Sequence, residues 1–225
     1  MSSLSIKEQL KLYFIMGSNN TGAVEPLNVL EAALLGGVTC FQLREKGEGA
    51  LIGEAKREFA QQCQQLCQRY SVPFIINDDV ELAMAVDADG VHVGQDDMDA
   101  GRVRERLGSN KILGVSTHTL EEVQQALADG ADYVGMGPVY ATMSKADAKP
   151  VAGTGLIRKT ASLHPDLPIV GIGGITLDNF EPVIQAGASG VSLISAIASA
   201  DDPFATAQKF AATIEEIIQR EGASS

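Results

Sequence analysis

The chain has few cysteines, little positive charge and no long apolar run, and each shortage removes a class of function. Its three cysteines are an odd number, with no C-x-x-C and no metal-type spacing. Cys63 and Cys67 fall in a helical pattern and Cys40 in a strand-like run, so buried free thiols are expected rather than a disulfide framework or a zinc site. Lys and Arg total 17 against 29 Asp and Glu, a formal net charge of −12. That balance argues against a nucleic-acid or anionic-membrane binder, because phosphate backbones and anionic headgroups need a surplus of cations. It leaves room for a small phosphate ligand, which needs only local cations and backbone N–H groups. The longest apolar run near the start, Leu12 to Met16, is far shorter than a signal-peptide core, and no segment approaches the roughly 20 apolar residues of a membrane span. A cytoplasmic location is the resulting expectation. The G-x-S-x-G elbow and the dinucleotide fingerprint G-x-G-x-x-G after a first strand are also missing.

What is present is the composition of a packed globular chain: 225 residues, 45% hydrophobic and 20% charged, with no low-complexity stretch. One domain over residues 1–225 is expected. A cadence recurs in which a helical segment ends near Gly, a short apolar run follows, and a polar or glycine-rich loop closes it. Examples are Gly36-Gly37-Val38-Thr39-Cys40-Phe41-Gln42 and Asp89-Gly90-Val91-His92-Val93-Gly94. Counting such runs predicts eight strands, at 11–16, 38–43, 73–77, 90–93, 111–115, 132–136, 168–172 and 190–194. Between them, apolar residues recur every three or four positions, as in Ile52, Ala55, Phe59, Cys63, Leu66 and Tyr70, or in Phe204, Ala207, Phe210, Ile214 and Ile217. Short buried strands alternating with helices require parallel pairing through crossovers. Eight such units close most naturally into a single (β/α)8 TIM barrel, with an open doubly wound sheet as the alternative on periodicity alone.

Active sites of such barrels lie at the C-terminal ends of the strands. The residues that follow each apolar run are therefore the candidates. They are Gln42-Leu43-Arg44-Glu45-Lys46, Asn77-Asp78-Asp79, Gly94-Gln95-Asp96-Asp97, Ser116-Thr117-His118, a loop holding Thr142, Ser144 and Lys145, then Gly171-Ile172-Gly173-Gly174, and Ser195. Two carboxylate clusters on neighbouring strand ends supply hard oxygen ligands that suit Mg²⁺. For each cluster taken alone, capping is an equal reading: Asp78 or Asp79 for a helix near Val80, Asp97 or Asp99 for one near residue 100. Arg44 and Lys46, alternating about Glu45, present cations on one side, with Arg able to grip phosphate in bidentate fashion. Backbone N–H groups of the Gly173-Gly174 turn can cradle a second phosphate, with Thr176 as the expected N-cap of the next helix. Of the histidines, His92 and His164 read as structural or solvated, and His118 as a rim residue of open role.

Tyr13-Phe14-Ile15-Met16, Gln42-Leu43-Arg44-Glu45-Lys46, Phe74-Ile75-Ile76-Asn77-Asp78, Gly90-Val91-His92-Val93-Gly94-Gln95-Asp96-Asp97 and Gly114-Val115-Ser116-Thr117-His118-Thr119 appear in that order. Asp132-Tyr133-Val134-Gly135-Met136-Gly137-Pro138-Val139-Tyr140 and Val170-Gly171-Ile172-Gly173-Gly174-Ile175 follow. This set, from about residue 10 to residue 200, resembles the thiamine-phosphate synthase family. The resemblance implies an Mg²⁺-dependent transferase that joins hydroxymethylpyrimidine diphosphate to a thiazole phosphate, releasing diphosphate by a dissociative, carbocation-like displacement. It implies that Gln42, Leu43, Arg44, Glu45, Lys46, Asn77, Ser116 and Lys145 hold the pyrimidine diphosphate, with Arg44, Lys46, Lys145 and Ser116 acting in catalysis. It implies Asp78 and Asp97 as metal ligands, and Thr142, Met143, Ser144, Gly174, Ile194 and Ser195 around the thiazole phosphate. Ser144 stands where the family commonly has Thr, which keeps the hydroxyl. The expected partners are these small substrates, with no nucleic acid and no membrane, and a homo-oligomer is left open. Two rivals use the same pocket: a thiazole tautomerase of the same superfamily, for which the metal carboxylates are dispensable, and a phosphate sensor without turnover. An unrelated phosphosugar isomerase is disfavoured, because no Glu base with a paired His stands at the rim.

Overall fold

The computed structural model describes residues 4–142 and 149–222. Among them, eight parallel strands form a closed barrel in sequence order. They are β1 (Leu12–Met16), β2 (Cys40–Leu43), β3 (Phe74–Asn77), β4 (Gly90–Val93), β5 (Ile112–Thr117), β6 (Tyr133–Met136), β7 (Ile169–Ile172) and β8 (Gly190–Leu193). The helices are α1 (Ile6–Gln9), α2 (Pro26–Leu35), α3 (Gly53–Tyr70), α4 (Val80–Ala85), α5 (Ala100–Leu107), α6 (Leu120–Ala128), α7 (Gly155–Leu163), α8 (Glu181–Gln185), α9 (Ser195–Ala198) and α10 (Pro203–Gly222). Register closes the ring: Tyr13 lies opposite Cys40 on one side, and Leu12 opposite Val191 on the other.

Alternation along the strands divides the buried residues into two layers. Phe14, Phe41 and Phe74 face the helices, with ring centroids 5.7 and 6.0 Å apart around the barrel wall. Tyr13, Ile15, Cys40, Ile75, Tyr133 and Val170 fill the lumen. Both faces are covered, so the strands read as apolar runs. α10 seals the outside through Ala207, Phe210, Ile214 and Ile217, and Phe210 meets Phe180 at 5.3 Å.

The ends of the expected stripes differ from the expectation. Ile52 is 82% exposed because it is the extended residue before α3, outside the helical turn whose face continues to Phe59. Phe204, in the first turn of α10, is 39% exposed. Thr176 does not cap α8. The Asn179 side chain takes the Thr176 N–H instead, and the helix begins at Glu181.

Candidate active site

At the C-terminal ends of the strands a cavity of about 880 Å³ opens to solvent. A second, of about 90 Å³, runs below it into the lumen. Gln42, Arg44, Asn77, Asp78 and Ser116 wall the inner cavity, and Lys46 and Asp97 border both. Thr142, Gly174, Ile194 and Ser195 line the outer one, on the side of β6 to β8. Eleven of the expected residues thus share one mouth. Two do not reach it. Leu43 is next in the strand after Gln42, so the pleat turns its side chain into the sheet-helix layer. Glu45 turns away, accepting from Ser18 N and Oγ and from Leu51 N at 2.7 Å. Asn19 Nδ2 also donates to the carbonyls of Lys46 and Glu48, at 3.1 and 2.9 Å. Glu45 and Asn19 thus staple the loop that carries both cations. Met143, Ser144 and Lys145 lie outside the described residues.

Each acidic cluster divides its labour. Asp79 accepts from Leu82 N at 3.0 Å and caps α4, while Asp99 accepts from Arg102 N at 3.1 Å and caps α5. Asp78 and Asp97 are left to face the cavity. Capping and site-facing readings therefore both hold, for different residues. Asp78 sits at φ 60°, a left-handed conformation rare outside glycine. Its N–H bonds to His92 O at 2.9 Å, so the backbone swings off β3 and turns the carboxylate across to Asp97.

The Lys46 ammonium contacts Asp78 Oδ2 and stands 3.7 Å from Asp97 Oδ1. Burial pushes the Asp78 carboxyl up to about 6, against the pull of Lys46 and with the help of its acidic neighbour. For Asp97 burial acts upward too, but hydrogen bonds from Asp78 and from Gly94 N, the latter at 2.8 Å, hold it below the usual range. Burial works against the charge on Lys46, yet the two acids raise it. Two acids and one ammonium in a half-buried cleft form a charge cluster of the kind that marks functional sites.

Across the mouth, Gly173 and Gly174 take φ 99° and 63°. A Cβ on Gly173 would stand 2.5 Å from Pro138 Cβ, and one on Gly174 2.9 Å from Tyr140 Cβ, so the β7 turn and the β6 loop close up only with glycine here. Asn179 Nδ2 donates to Gly174 O at 2.9 Å and Tyr140 Oη to Asn179 O at 2.7 Å, fixing the turn. His118 lines the outer cavity with its ring nitrogen Nδ1 3.1 Å from Glu122 Oε2, so a His paired with a Glu does stand at the rim, where the sequence led us to expect none.

Sequence reasoning missed Lys149, on the outer wall 3.7 Å from Asp96, and gave no role to Gln95, a rim candidate whose Nε2 donates to Ser116 O at 2.7 Å. It also missed Tyr13 and Tyr133, whose hydroxyls meet at 2.7 Å in the lumen. A signal existed for the tyrosines: each occupies an inward position of an otherwise apolar strand.

A family model described as thiamine monophosphate synthase matches residues 12–197. A thiamine-phosphate synthase of Bacillus licheniformis is 57% identical over 219 residues, covering 97% of each chain. One of Geobacillus thermodenitrificans is 56% identical over 216 residues, covering 96% of this chain and 97% of its own. Among solved structures, a thiamine phosphate pyrophosphorylase of Pyrococcus furiosus superposes with a TM-score of 0.85 at 34% identity, covering 95% of this chain and all of that one. A barrel with this ordered rim, matched along nearly its whole length by such relatives, belongs to the thiamine monophosphate synthase family of transferases.

Proposed function

We propose that the chain condenses hydroxymethylpyrimidine diphosphate with a thiazole phosphate, giving thiamine monophosphate and diphosphate with the aid of Mg²⁺. One observation carries the reading: two acids and two cations meet at the mouth of a narrow lumen, and a glycine turn suited to a second phosphate faces them across the same cavity. The donor set fits Mg²⁺. Among the described residues no cluster of three or more His, Cys, Asp or Glu exists, and Asp78 with Asp97 offers the two hard carboxylates that Mg²⁺ supplements with water and substrate phosphate. Bound there, the ion would neutralise charge on the diphosphate and so improve it as a leaving group.

The protein's own groups act around that ion. Arg44 and Lys46 hold the diphosphate and stabilise the negative charge that grows as the methylene C–O bond breaks and its electron pair leaves with the diphosphate. Lys145 is assigned the same duty. Gln42 and Asn77 hold the pyrimidine in the lumen, where its amino group shares the positive charge left on the methylene. Ser116 donates to the diphosphate from the opposite wall. Thr142, Gly174, Ile194 and Ser195 anchor the thiazole phosphate, together with Met143 and Ser144, and bring the ring nitrogen within reach of the methylene carbon. That nitrogen supplies the electron pair of the new C–N bond, so no side-chain nucleophile is required. Leu43 and Glu45 contribute by shaping the strand end and its loop. The reading places the protein in the cytoplasm, where its three buried free thiols stay reduced.

The test is to incubate the protein with both substrates and Mg²⁺ and to measure diphosphate and thiamine monophosphate. Stoichiometric appearance of both, abolished by EDTA, is expected. A tautomerase releases no diphosphate, and a sensor binds without turnover; either result overturns the proposal.

A further inference from the structure

A line of hydrogen bonds runs from the floor of the lumen up to Ser116. Gln42 Nε2 donates to the Tyr13 hydroxyl at 2.7 Å. Tyr13 and Tyr133 hydroxyls lie 2.7 Å apart, Tyr133 Oη is 2.9 Å from His92 Nδ1, and His92 Nε2 is 2.9 Å from Ser116 Oγ. Both phenols are fully buried, and burial pushes the pKa of each well above that of the ordinary phenol, so both keep their protons. The barrel is built around this line. A Cβ on Gly114 would collide with the Tyr133 ring and stand 2.5 Å from His92 Nδ1, and one on Gly135 would stand 3.2 Å from His92 Cε1. Two neighbouring strands thus carry glycine where the two rings lie.

Proton bookkeeping gives the line a direction. Tyr13 accepts from Gln42, so its own proton goes either to Tyr133 or to the neighbouring Cys40 sulfur. Oxygen is the better acceptor, and a phenol donates to an imidazole nitrogen more strongly than it accepts from one. The favoured order is Gln42 to Tyr13 to Tyr133 to His92 Nδ1. His92 is then the neutral Nε2–H tautomer and donates to Ser116 Oγ. With one lone pair taken, the Ser116 hydroxyl proton is free to turn into the inner cavity. We propose that His92 is a positioning residue: held as the Nε2–H tautomer by the two tyrosines, it aims the Ser116 hydroxyl as a donor toward the substrate. The proposal rests on the reading that Ser116 meets the pyrimidine diphosphate, and it invokes no change of protonation.

Two measurements test it. Nitrogen-15 NMR of the histidine-labelled protein, without substrates, reads the tautomer directly; Nε2–H is expected for His92, and Nδ1–H overturns the proposal whatever the enzyme's reaction. Kinetics then read the consequence. The amide nitrogen of Gln reaches the place of Nε2, whereas Asn reaches only that of Nδ1. His92→Asn should lower kcat by about tenfold, one lost hydrogen bond, and His92→Gln should recover most of it. Combined with Ser116→Ala, His92→Asn should add no further loss. Equal impairment by Asn and Gln, or additive loss in the double variant, means that His92 is only a packing residue and overturns the proposal. Failure of the wild-type chain to release diphosphate counts instead against the proposed function, and leaves the tautomer result standing.

Discussion

The two ends of the barrel use the same polar residue types for opposite ends. At the N-terminal end, side-chain charge is engaged by the protein's own backbone. Asp89 accepts from Phe74 N at 2.8 Å and Asp132 from Leu113 N at 2.7 Å, so each acid just before one strand ties down the start of its neighbour. Arg104 donates to the carbonyls of Gly108, Lys111 and Gly130 and pairs with Asp132 at 2.6 Å. At the C-terminal end, Asp78, Asp97 and Lys46 are satisfied mainly by one another around a cavity, and Asp78 holds a strained φ of 60°. The first arrangement holds the ring shut. The second keeps charge concentrated where a ligand can use it, at a cost in stability.

Variants can break that contrast. The largest effect is expected from Asp78→Ala, which removes a proposed metal ligand and should lower kcat by about 100-fold or more in steady-state assays. Its melting temperature should not fall, because a buried acid beside another acid is lost. A clear drop in thermal stability would erase the distinction between the ends. Arg104→Ala should do the reverse, costing about 2–3 kcal/mol in denaturant unfolding as several carbonyls lose their donor, with kcat unchanged.

Gly174→Ala tests the second phosphate position. The Cβ would press on Tyr140 and demand a left-handed conformation. The KM for the thiazole phosphate should rise about tenfold while that for the pyrimidine diphosphate holds, with about 1 kcal/mol lost in stability. Equal changes in both constants would show that the two halves of the cavity are not separate.

The smallest effect concerns pH. Asp78 titrates at about 6 in the folded chain against 3.8 when unperturbed, so the folded state holds its proton more tightly. In the absence of metal, stability relative to Asp78→Asn should therefore increase as pH falls from about 6 toward 3.8, the reverse of an ordinary salt-bridged acid. Over the same window protons should compete with Mg²⁺, raising the metal concentration needed for half-activity. Thermal melts and metal titrations at several pH values check both.

Much of this was legible in the sequence. Strand positions follow from apolar runs bounded by glycine, and they fall within a residue or two of those observed. The rim residues follow from strand direction alone. What was not legible depends on contacts between distant segments or on backbone turns. Nothing local distinguishes Asp78 from Asp79 or Asp97 from Asp99; the positive φ at Asp78 and the caps on Leu82 and Arg102 decide it. Glu45 sits in a run of expected ligands, yet its partner Ser18 belongs to the loop after β1, reached only by strand pairing. The stripes containing Ile52 and Phe204 overran because periodicity does not show where the neighbouring surface ends. His92, read as structural or solvated, joins a line of partners from four other strands.

The central claim is that Asp78 and Asp97, with the cations of the β2 loop, form one metal-assisted diphosphate site. Anomalous diffraction from crystals soaked with Mn²⁺ and the pyrimidine diphosphate tests it most directly. The account predicts a manganese peak touching both carboxylates and a diphosphate oxygen at the mouth of the lumen, with Arg44 and Lys46 on the same diphosphate. A peak elsewhere, or a diphosphate bound away from these acids, would contradict it.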